Sequence, residues 1–194
     1  MAKEIFKMKK VKLHLGCFHK KIHGFTNVDI RSDINPDLVD DVFKLENVEN
    51  DSVNLIYCCH VLEHAKRQEA KDAMKRWYEV LETRGTLRIS VPDLQAVFEH
   101  YICHKDLKAL ECFLYGSQKH DYDFHYTGWD FISIKKNLEE AGFSSIERYD
   151  WRDTEHFYID DYSQCYLPKI SYTTREKRGT IDGKLMSLNI EAVK

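Results

Sequence analysis

The first 60 residues show the hydrophobic pattern of β-strands. Residues 11–15 alternate between apolar and polar side chains and lead into the turn Gly16-Cys17-Phe18, and a second extended stretch covers residues 25–30. The link between them is too short for a full crossover helix. Residues 38–43 can form a third strand. Residues 53–58 are mostly apolar, β-branched or aromatic, as expected of a strand buried on both faces.

The pattern changes to a helical period after the fourth strand. Apolar residues within the segment 68–81 recur at spacings of three and four, which predicts an amphipathic helix that ends before Gly85. These residues are Ala70, Ala73, Met74, Trp77, Val80 and Leu81. A fifth strand is predicted at residues 86–91, where Pro92 ends it.

The second half of the chain contains three further helical patterns and two short strands. Helices are predicted at residues 94–104, 106–115 and 130–141, and strands at 145–148 and 185–193. A polar and aromatic loop, residues 116–128, precedes the last helix. Residues 150–183 have little periodicity, and a loop region of this length is usually functional or mobile.

Strands that are mostly separated by helices predict an α/β fold. We expect a doubly wound, mostly parallel sheet with helices on both faces. The length of 194 residues suits one domain, residues 1–194, in which residues 1–10 form a loose leader. In such sheets ligands bind beyond the carboxyl ends of the strands, near the point where the strand order reverses.

Composition and charge exclude several classes of protein. Hydrophobic residues make up 43% of the chain and charged residues 31%, as in ordinary globular domains. The 29 basic and 32 acidic residues are mixed along the sequence, so we expect no nucleic-acid partner. Six cysteines without a CxxC pair, and the absence of a signal peptide, indicate reduced thiols and a cytoplasmic protein. No apolar run approaches the roughly 20 residues of a membrane span.

Candidate binding residues follow the predicted strands. Gly16 lets the backbone turn tightly after strand one, although the G-x-G-x-x-G motif of dinucleotide binders is absent. Asp29 ends strand two, where a carboxylate can accept hydrogen bonds from both ribose hydroxyls of a nucleoside or, alternatively, cap a turn. Asp41, followed by Val42, can bind an adenine amino group and cover the ring, or it is one of two paired surface acids.

The ordered set of these segments resembles class I S-adenosylmethionine-dependent methyltransferases. The segments that carry the resemblance are the strand-one turn, Asn27-Val28-Asp29 and residues 51–56, 60–64 and 80–91. The chain is most similar to small methyltransferases found among polysaccharide-biosynthesis enzymes. That likeness is carried by residues 116–118, 123–125, 160–164 and 185–189.

The resemblance implies a Rossmann-like sheet of seven strands with an antiparallel last strand, and S-adenosyl-L-methionine as cofactor. It places the methionine part of the cofactor against the strand-one turn, the ribose at strand two, adenine at strand three and a near wall after strand four. The residues it assigns to these positions are Leu15, Gly16 and Cys17, then Asp29 and Ile30, then Asp41 and Val42, and finally Cys59 and His60. Phe18 departs from the family pattern, which more often has a second glycine there.

The resemblance also implies an acceptor, a hydroxyl of a sugar or glycan. A protonated hydroxyl is a poor nucleophile, so a positioned base is useful. We expect His125 to be this base, with Asp93 as the alternative or as its orienting partner. Gln118, Asp123 and Trp129 are predicted to shape the acceptor pocket, although Trp129 equally suits a core anchor. Another small phosphate-bearing metabolite, a lipid precursor or a protein side chain stays open as acceptor.

Two other classes of function compete with this hypothesis. Residues 60–64 read His-Val-Leu-Glu-His, which fits the H-x-x-E-H string of some zinc peptidases. The string begins where a buried strand ends rather than inside a long helix, so we predict no metal site. A nucleoside-binding module that has kept the fold and lost catalysis is the non-enzymatic alternative, since a fold alone does not prove a function.

Overall fold

A seven-stranded sheet forms the centre of the protein in the computed structural model, which describes residues 10–167 and 183–194. The strands are β1 Lys12–Leu15, β2 Thr26–Asp29, β3 Leu38–Val39, β4 Val53–Cys59, β5 Leu81–Pro92, β6 Ser144–Arg148, β7 Tyr166–Leu167, β8 Lys184–Leu185 and β9 Ser187–Val193. The main sheet has the order β3-β2-β1-β4-β5-β9-β6, and β7 pairs with β8 in a separate ribbon.

The strand directions confirm the predicted fold class. The first five strands pair in parallel, and β9 runs antiparallel to both β5 and β6. The chain leaves β1 toward β2 and β3 and then returns to β4 on the other side of β1. The strand order therefore reverses between β1 and β4, and the carboxyl ends of these two strands mark the expected ligand-binding edge.

The helices are α1 Arg67–Val80, α2 Leu94–His104, α3 Glu111–Tyr115 and α4 Phe131–Ala141. The apolar residues predicted for the first helix lie in the main core, as their spacing required. Trp77 is fully buried, and its indole N–H donates to the carbonyl of Val42 at 2.8 Å. Helix α4 packs beside α1 and adds Ile134 and Leu138 to the same core. None of the helices within the described ranges is long and apolar enough to cross a membrane.

The other face of β4 is covered largely by turns. Tyr57 is fully buried there in a cluster with Ile22 and Phe25, which come from the turns that link β1 to β2. The ring of His156 packs against Tyr57 at a tilt of 42°, with 4.0 Å between ring centroids. The segment that carries His156 lies between two short 3-10 turns, Trp151–Asp153 and Tyr162–Gln164. Part of the predicted loop region thus packs onto the sheet.

The third strand is shorter than its apolar pattern predicted. β3 contains only Leu38 and Val39, and the chain turns at the following two aspartates. The carboxylate of Asp40 accepts the backbone N–H groups of Glu46 and Asn47 at 3.3 and 2.9 Å. Such local side-chain bonds compete with strand pairing, which explains the early end of β3.

Other boundaries also differ from the sequence pattern. The predicted helix 106–115 is divided into a 3-10 turn, Lys108–Leu110, and the short helix α3. The predicted last strand is divided at Met186, whose N–H donates to Cys165 and whose carbonyl accepts the N–H of Asp93. The proposed leader, except for residue 10, and residues 168–182 of the loop region lie outside the described residues.

Candidate functional site

The turn after β1 is shaped by a close approach to the segment that follows β4. Gly16 has a φ of +66°, a conformation that favours glycine. A Cβ atom on Gly16 would overlap Cγ2 of Val61. The N–H groups of Gly16 and Cys17 both donate to the carbonyl of Val28, at 2.9 and 3.2 Å. A residue with a side chain therefore does not fit this position without displacing Val61.

Phe18 takes the same left-handed backbone conformation that a glycine would adopt. Its φ is +44°, at the position where the resembled family more often has glycine. Its N–H donates to Oδ2 of Asp29 at 2.9 Å. The guanidinium of Arg31 lies 5.3 Å from the centre of the Phe18 ring. The departure from the family pattern thus preserves the turn, at the cost of a strained residue.

Asp29 lies at the end of β2 with its carboxylate oriented by the backbone. Its side chain is largely buried, Oδ2 accepts the N–H of Phe18, and Oδ1 accepts the N–H of Arg31 at 3.0 Å. Each oxygen has a second lone pair that can accept a further hydrogen bond. Ile30 and Phe18, both nearly half exposed, provide apolar surface beside it. This combination suits the ribose of a nucleoside.

A polar network that the sequence did not predict holds the end of β2 in place. The amide oxygen of Asn27 accepts the N–H of Ile22 at 2.8 Å and lies 3.1 Å from Nδ1 of His14. Its amide nitrogen donates to Oδ2 of Asp37 at 2.7 Å. These bonds fix the strand that carries Asp29, so they position that carboxylate.

The two residues predicted to flank adenine already have partners within the protein. Oδ1 of Asp41 accepts the N–H of Phe43 at 3.0 Å, and Oδ2 lies 2.7 Å from Nζ of Lys44. The side chain of Val42 is 8% exposed and belongs to the main core. The contacts of Asp41 are those of a turn, and its role toward adenine stays a prediction, as does that of Val42.

The remaining predicted cofactor residues lie at the switch point. Leu15 and Cys17 are buried, and their contacts with the methionine part of the cofactor stay a prediction. Cys59 ends β4, and burial raises the pKa of its thiol well above the usual range, which keeps it protonated. His60 has a φ of +51° and donates its N–H to Ser90 at 2.7 Å. The backbone therefore turns sharply after β4, beside the β1 turn.

The loop 116–128 is fastened to the segment after β4 by its backbone. The N–H groups of Tyr126 and Thr127 both donate to the carbonyl of Glu63, at 2.8 and 3.1 Å. At the start of the loop, Gly116 has a φ of +76°, and a Cβ atom there would overlap the carbonyl of Asp123. These contacts place His125 next to residues 60–64.

Glu63 is the charged partner of His125 in the structure. Its carboxylate is 1% exposed, and Oε1 lies 3.9 Å from Nε2 of His125 and 3.3 Å from Nδ1 of His60. Burial alone would raise the pKa of Glu63, but the imidazoles of His60, His64 and His125 outweigh it and lower that pKa. Burial lowers the pKa of His125. Glu63 and His125 thus form a close carboxylate–imidazole pair at this edge of the sheet.

Asp93, the alternative base, has structural partners. Its Oδ1 accepts the N–H groups of Gln95 and Ala96 at 3.0 and 3.4 Å, which makes it the N-cap of α2. Its Oδ2 lies 3.3 Å from a guanidinium nitrogen of Arg148. No described contact joins Asp93 to His125, so its catalytic role stays a prediction.

The predicted acceptor-pocket residues divide between the loop and the core. Gln118 is exposed and donates its N–H to the carbonyl of Asp123 at 3.1 Å, while the carboxylate of Asp123 contacts the hydroxyl of Ser117. Trp129 is 6% exposed and belongs to the main core, as the alternative interpretation anticipated. Within the described residues its buried indole N–H has no hydrogen-bond partner.

A second polar network joins β4 and β9 to the segment that follows β6. The hydroxyl of Tyr57 donates to Oδ2 of Asp161 at 2.7 Å, and Oδ1 of Asp161 accepts the hydroxyl of Ser163 at 2.6 Å. The amide of Asn189 donates to the carbonyl of Ser163 at 3.0 Å. This network holds the segment after β6 against the carboxyl ends of the strands.

Two polar residues at this edge were missed as site residues by the sequence. Glu63 was considered only as part of the peptidase string, and Asp161 only as part of a family-like stretch. No local pattern marks either one as buried, because an acidic residue in a turn is usually exposed. The signal that was present is the pair of histidines that flank Glu63 closely in sequence.

The zinc-peptidase arrangement does not form. Leu62–His64 is a single 3-10 turn, so His60 and His64 do not lie one turn apart on a long helix. The imidazole of His60 instead lies between Glu63 and Ser187, with Nε2 3.2 Å from the Ser187 hydroxyl. The sequence His-Val-Leu-Glu-His at residues 60–64 therefore forms the turn after β4 and not a peptidase helix.

The fold is shared with solved methyltransferase structures. An S-adenosylmethionine-dependent methyltransferase from Archaeoglobus fulgidus is 15% identical with a TM-score of 0.59, over 97% of this chain and 88% of that one. One from Thermotoga maritima is 11% identical with a TM-score of 0.60, over 95% and 82%. One from Mesorhizobium loti is 11% identical with a TM-score of 0.53, over 95% and 90%. No family model and no curated protein matches the sequence. At these identities the likeness establishes the class I methyltransferase fold.

Proposed function

We propose that this protein is an S-adenosyl-L-methionine-dependent methyltransferase. The observation that carries the proposal is the geometry around Asp29, whose carboxylate is held by two backbone N–H groups at the end of β2, beside the switch point of a methyltransferase fold. The tight turn at Gly16 lies at the same edge. A nucleoside cofactor with a ribose diol and an apolar ring fits these groups.

The residues present fit the cofactor in two respects. Asp29 offers two carboxylate oxygens to the ribose hydroxyls, and Ile30 provides exposed apolar surface beside Asp29. When bound, the cofactor supplies an electrophilic methyl group on a sulfonium sulfur. In this proposal Leu15 and Cys17, at the end of β1, lie against its methionine part, and Cys59 and His60, at the end of β4, form its near wall.

We propose a hydroxyl of a sugar or glycan as the methyl acceptor. The acceptor side is formed by the loop 116–128 and the segment after β6, both polar where they meet the strand ends. Nδ1 of His125 lies 3.0 Å from the carbonyl of Phe113, so it carries the proton and Nε2 is left with a free lone pair. Nε2 can therefore take the hydroxyl proton as the acceptor oxygen is methylated. Gln118 and Asp123 are the proposed contacts of the acceptor.

Another small phosphate-bearing metabolite is the alternative acceptor within the same proposal. The polar groups of the loop 116–128 do not by themselves distinguish a phosphate from a sugar. The non-catalytic alternative, a nucleoside-binding module, shares the Asp29 geometry, so binding of the cofactor alone does not separate it from an enzyme. Turnover of an acceptor does.

The first experiment measures cofactor binding. Titration calorimetry with S-adenosylhomocysteine is expected to give saturable binding to the wild type and binding weaker by about 10-fold or more for Asp29→Ala, because hydrogen bonds to a charged group are lost. Asp72→Ala, on the exposed side of α1, is the control and should bind like the wild type. Unchanged affinity for Asp29→Ala would show that the cofactor site lies elsewhere.

The second experiment measures methyl transfer. The protein is incubated with methyl-labelled S-adenosylmethionine and separate panels of nucleotide sugars, glycans and small phosphate-bearing metabolites. We expect incorporation into a sugar hydroxyl and its loss in Asp29→Ala. Incorporation into the phosphate-bearing metabolites alone would change the acceptor class. Cofactor binding without turnover of any acceptor would favour the non-catalytic module.

A further inference from the structure

Two histidines and a glutamate converge at the edge where the acceptor is expected. One ligand atom each from Glu63, His64 and His125 lie within 4.8 Å of one another. Glu63 and His64 come from the turn after β4, and His125 comes from the loop 116–128. The carbonyl of Glu63 holds this loop against the turn by accepting two of its backbone N–H groups. The cluster is therefore built by the tertiary fold, from two segments distant in sequence.

The hydrogen bonds of both imidazoles leave the same nitrogen free. Nδ1 of His64 lies 3.0 Å from the carbonyl of Phe124, and Nδ1 of His125 lies 3.0 Å from the carbonyl of Phe113. A carbonyl oxygen can only accept, so Nδ1 carries the proton in each ring. The Nε2 lone pairs are then available to a cation. Metal-ligating histidines are usually oriented by this kind of bond.

The carboxylate of Glu63 is buried without a hydrogen bond. Within residues 10–167 and 183–194, neither Oε1 nor Oε2 has a hydrogen-bond partner, although the side chain is only 1% exposed. A buried carboxylate in this state is costly unless a cation or donors satisfy it. The Nε2 lone pair of His125, 3.9 Å from Oε1, cannot serve as a donor to it. Nδ1 of His60 lies 3.3 Å from Oε1 without completing a hydrogen bond to it, and a cation between the three groups would satisfy the carboxylate.

We propose that Glu63, His64 and His125 bind one divalent transition-metal ion, and that its open coordination positions take the oxygen of the methyl acceptor. The binding of the ion does not depend on the proposed methyltransferase function. The role of the ion toward the methyl acceptor does rest on it. It revises the expectation that the chain has no metal site.

The donor set selects the class of metal. Two imidazole nitrogens and one carboxylate oxygen suit Zn²⁺, Mn²⁺, Fe²⁺ or Co²⁺ better than Ca²⁺ or Mg²⁺, which prefer oxygen ligands. Three protein ligands leave at least one position open, as in catalytic sites. Ligands of a tetrahedral Zn²⁺ lie about 3.4 Å apart for metal–ligand bonds of about 2.1 Å. Side-chain rotation that closes the 4.8 Å spread by about 1.4 Å would therefore complete the site.

The position of the cluster explains what the ion would do. It follows β4 directly, next to the proposed cofactor wall at Cys59 and His60. An acceptor hydroxyl bound to a divalent cation would be a stronger acid than the free hydroxyl, so it would lose its proton more readily. The ion would then replace His125 as the means of activating the acceptor, because Nε2 of His125 is occupied as a ligand. The hydroxyl proton would leave to solvent or buffer.

His60 is a positioning residue for this site. Its Nδ1 lies 3.3 Å from Oε1 of Glu63, and its other ring nitrogen lies 3.2 Å from the hydroxyl of Ser187. The imidazole is thus placed to orient the carboxylate from behind. Partners of this kind usually change metal affinity by about 10- to 100-fold when removed. His60→Ala is expected to weaken binding within that range and to leave the number of bound ions at one.

Metal binding is tested directly on the full chain. The protein is stripped with a chelator, dialysed against Zn²⁺, Mn²⁺ or Co²⁺, and analysed for bound metal, with the Co²⁺ absorption spectrum as a report on coordination. We expect about one ion per chain and a rise in the melting temperature on metal addition. Glu63→Gln and His125→Gln should bind at least about 10-fold more weakly and lose the melting-temperature rise. A wild type that binds no metal, or a Glu63→Gln variant that binds like the wild type, overturns the proposal.

A second histidine pair, on α2, provides the control. His100 and His104 lie one turn apart, with 4.4 Å between ring centroids, and can bind Zn²⁺ adventitiously. The variant His104→Gln removes this pair and should keep the full stoichiometry of the proposed site. If metal content instead falls with His104→Gln and persists in Glu63→Gln, the ion belongs to the α2 pair. Circular dichroism confirms that each variant is folded.

The two halves of the proposal fail in different ways. Binding of S-adenosylhomocysteine to the metal-free protein tests the cofactor site, which does not contain the cluster. Metal binding without cofactor binding would keep the ion site and overturn the proposed methyltransferase. Cofactor binding without metal binding would keep the proposed methyltransferase and overturn the ion site. Methyl transfer that is equal in the stripped and the metal-loaded protein would overturn the role of the ion toward the acceptor.

Discussion

The hydroxyl of Tyr57 donates to Oδ2 of Asp161 at 2.7 Å, and this bond joins the buried centre of the sheet to the segment that follows β6. Tyr57 is fully buried, and burial together with the nearby Asp161 raises its pKa well above the usual range, so the phenol stays a donor. The segment that follows β6 is therefore anchored to a core residue.

Removal of this hydroxyl should loosen that segment. Tyr57→Phe leaves a carboxylate oxygen without its donor, so we expect a loss of about 1 to 3 kcal/mol in the free energy of unfolding. Urea denaturation measures the loss. Tyr122→Phe, at an exposed position, is the control and should change stability by less than about 0.5 kcal/mol. Equal stability of the two variants would mean that the bond contributes nothing.

Gly16 separates two effects of adding a side chain. Gly16→Ala imposes a positive φ on alanine and overlaps Val61, whereas Gly24→Ala imposes a φ of +85° with no atom within 4 Å of the new Cβ. We expect a loss of about 1 kcal/mol for Gly24→Ala and a larger one for Gly16→Ala, together with weaker binding of S-adenosylhomocysteine.

Val61→Ala supplies the complementary test. In the double variant Gly16→Ala/Val61→Ala the overlap is removed and only the strained φ is left. Its stability should approach the sum of the Val61→Ala loss and the Gly24→Ala loss. Thermal and urea unfolding measure the loss of stability in each variant. If the loss in the double variant equals the sum of the losses in Gly16→Ala and Val61→Ala, the close approach of the two segments is not what excludes a side chain.

His156 should make the protein sensitive to acid. Burial lowers the pKa of His156 to about 4, whereas an unfolded histidine has a pKa near 6.5. The unfolded state therefore binds a proton more readily than the folded state. The free energy of unfolding keeps the full contribution of His156 above about pH 6.5 and loses up to about 3 kcal/mol as the pH drops toward 4. Urea midpoints measured across this range should fall less steeply for His156→Phe.

The control for this pH dependence is an exposed histidine. His23→Phe should leave the slope of stability against pH unchanged, because the His23 side chain is exposed. The comparison isolates one residue, since other groups titrate equally in the wild type and in both variants. A slope for His156→Phe that equals the wild-type slope would contradict the shifted pKa.

Asp93 should be needed for the start of α2. Asp93→Ala removes the acceptor for two backbone N–H groups and should cost about 1 to 2 kcal/mol, whereas Asp93→Asn should recover most of the loss because asparagine is an equally good N-cap. Thermal unfolding compares the two. A loss of methyl transfer of about 100-fold in an Asp93→Asn variant of normal stability would identify Asp93 as the base in place of His125.

The class of fold could be predicted from the sequence because the spacing of apolar residues depends only on neighbouring positions in the chain. Residues such as Ala73 and Trp77 repeat at the spacing of a buried helix face, and the structure confirms them in the core. Boundaries were less accessible where a side chain competes with the backbone. Asp40 ends β3 by binding the N–H groups of Glu46 and Asn47, which no apolar pattern records.

The sequence by itself determined the alternation of strands and helices and the residues at the strand ends, including Gly16 and Asp29, because these depend on neighbours in the chain. Only the tertiary structure decided which polar groups meet. Glu63 and His125 come together because backbone bonds fasten the loop 116–128 to the turn after β4. The energy of a buried carboxylate depends on groups distant in sequence, and for that reason the candidate metal site became visible only in three dimensions.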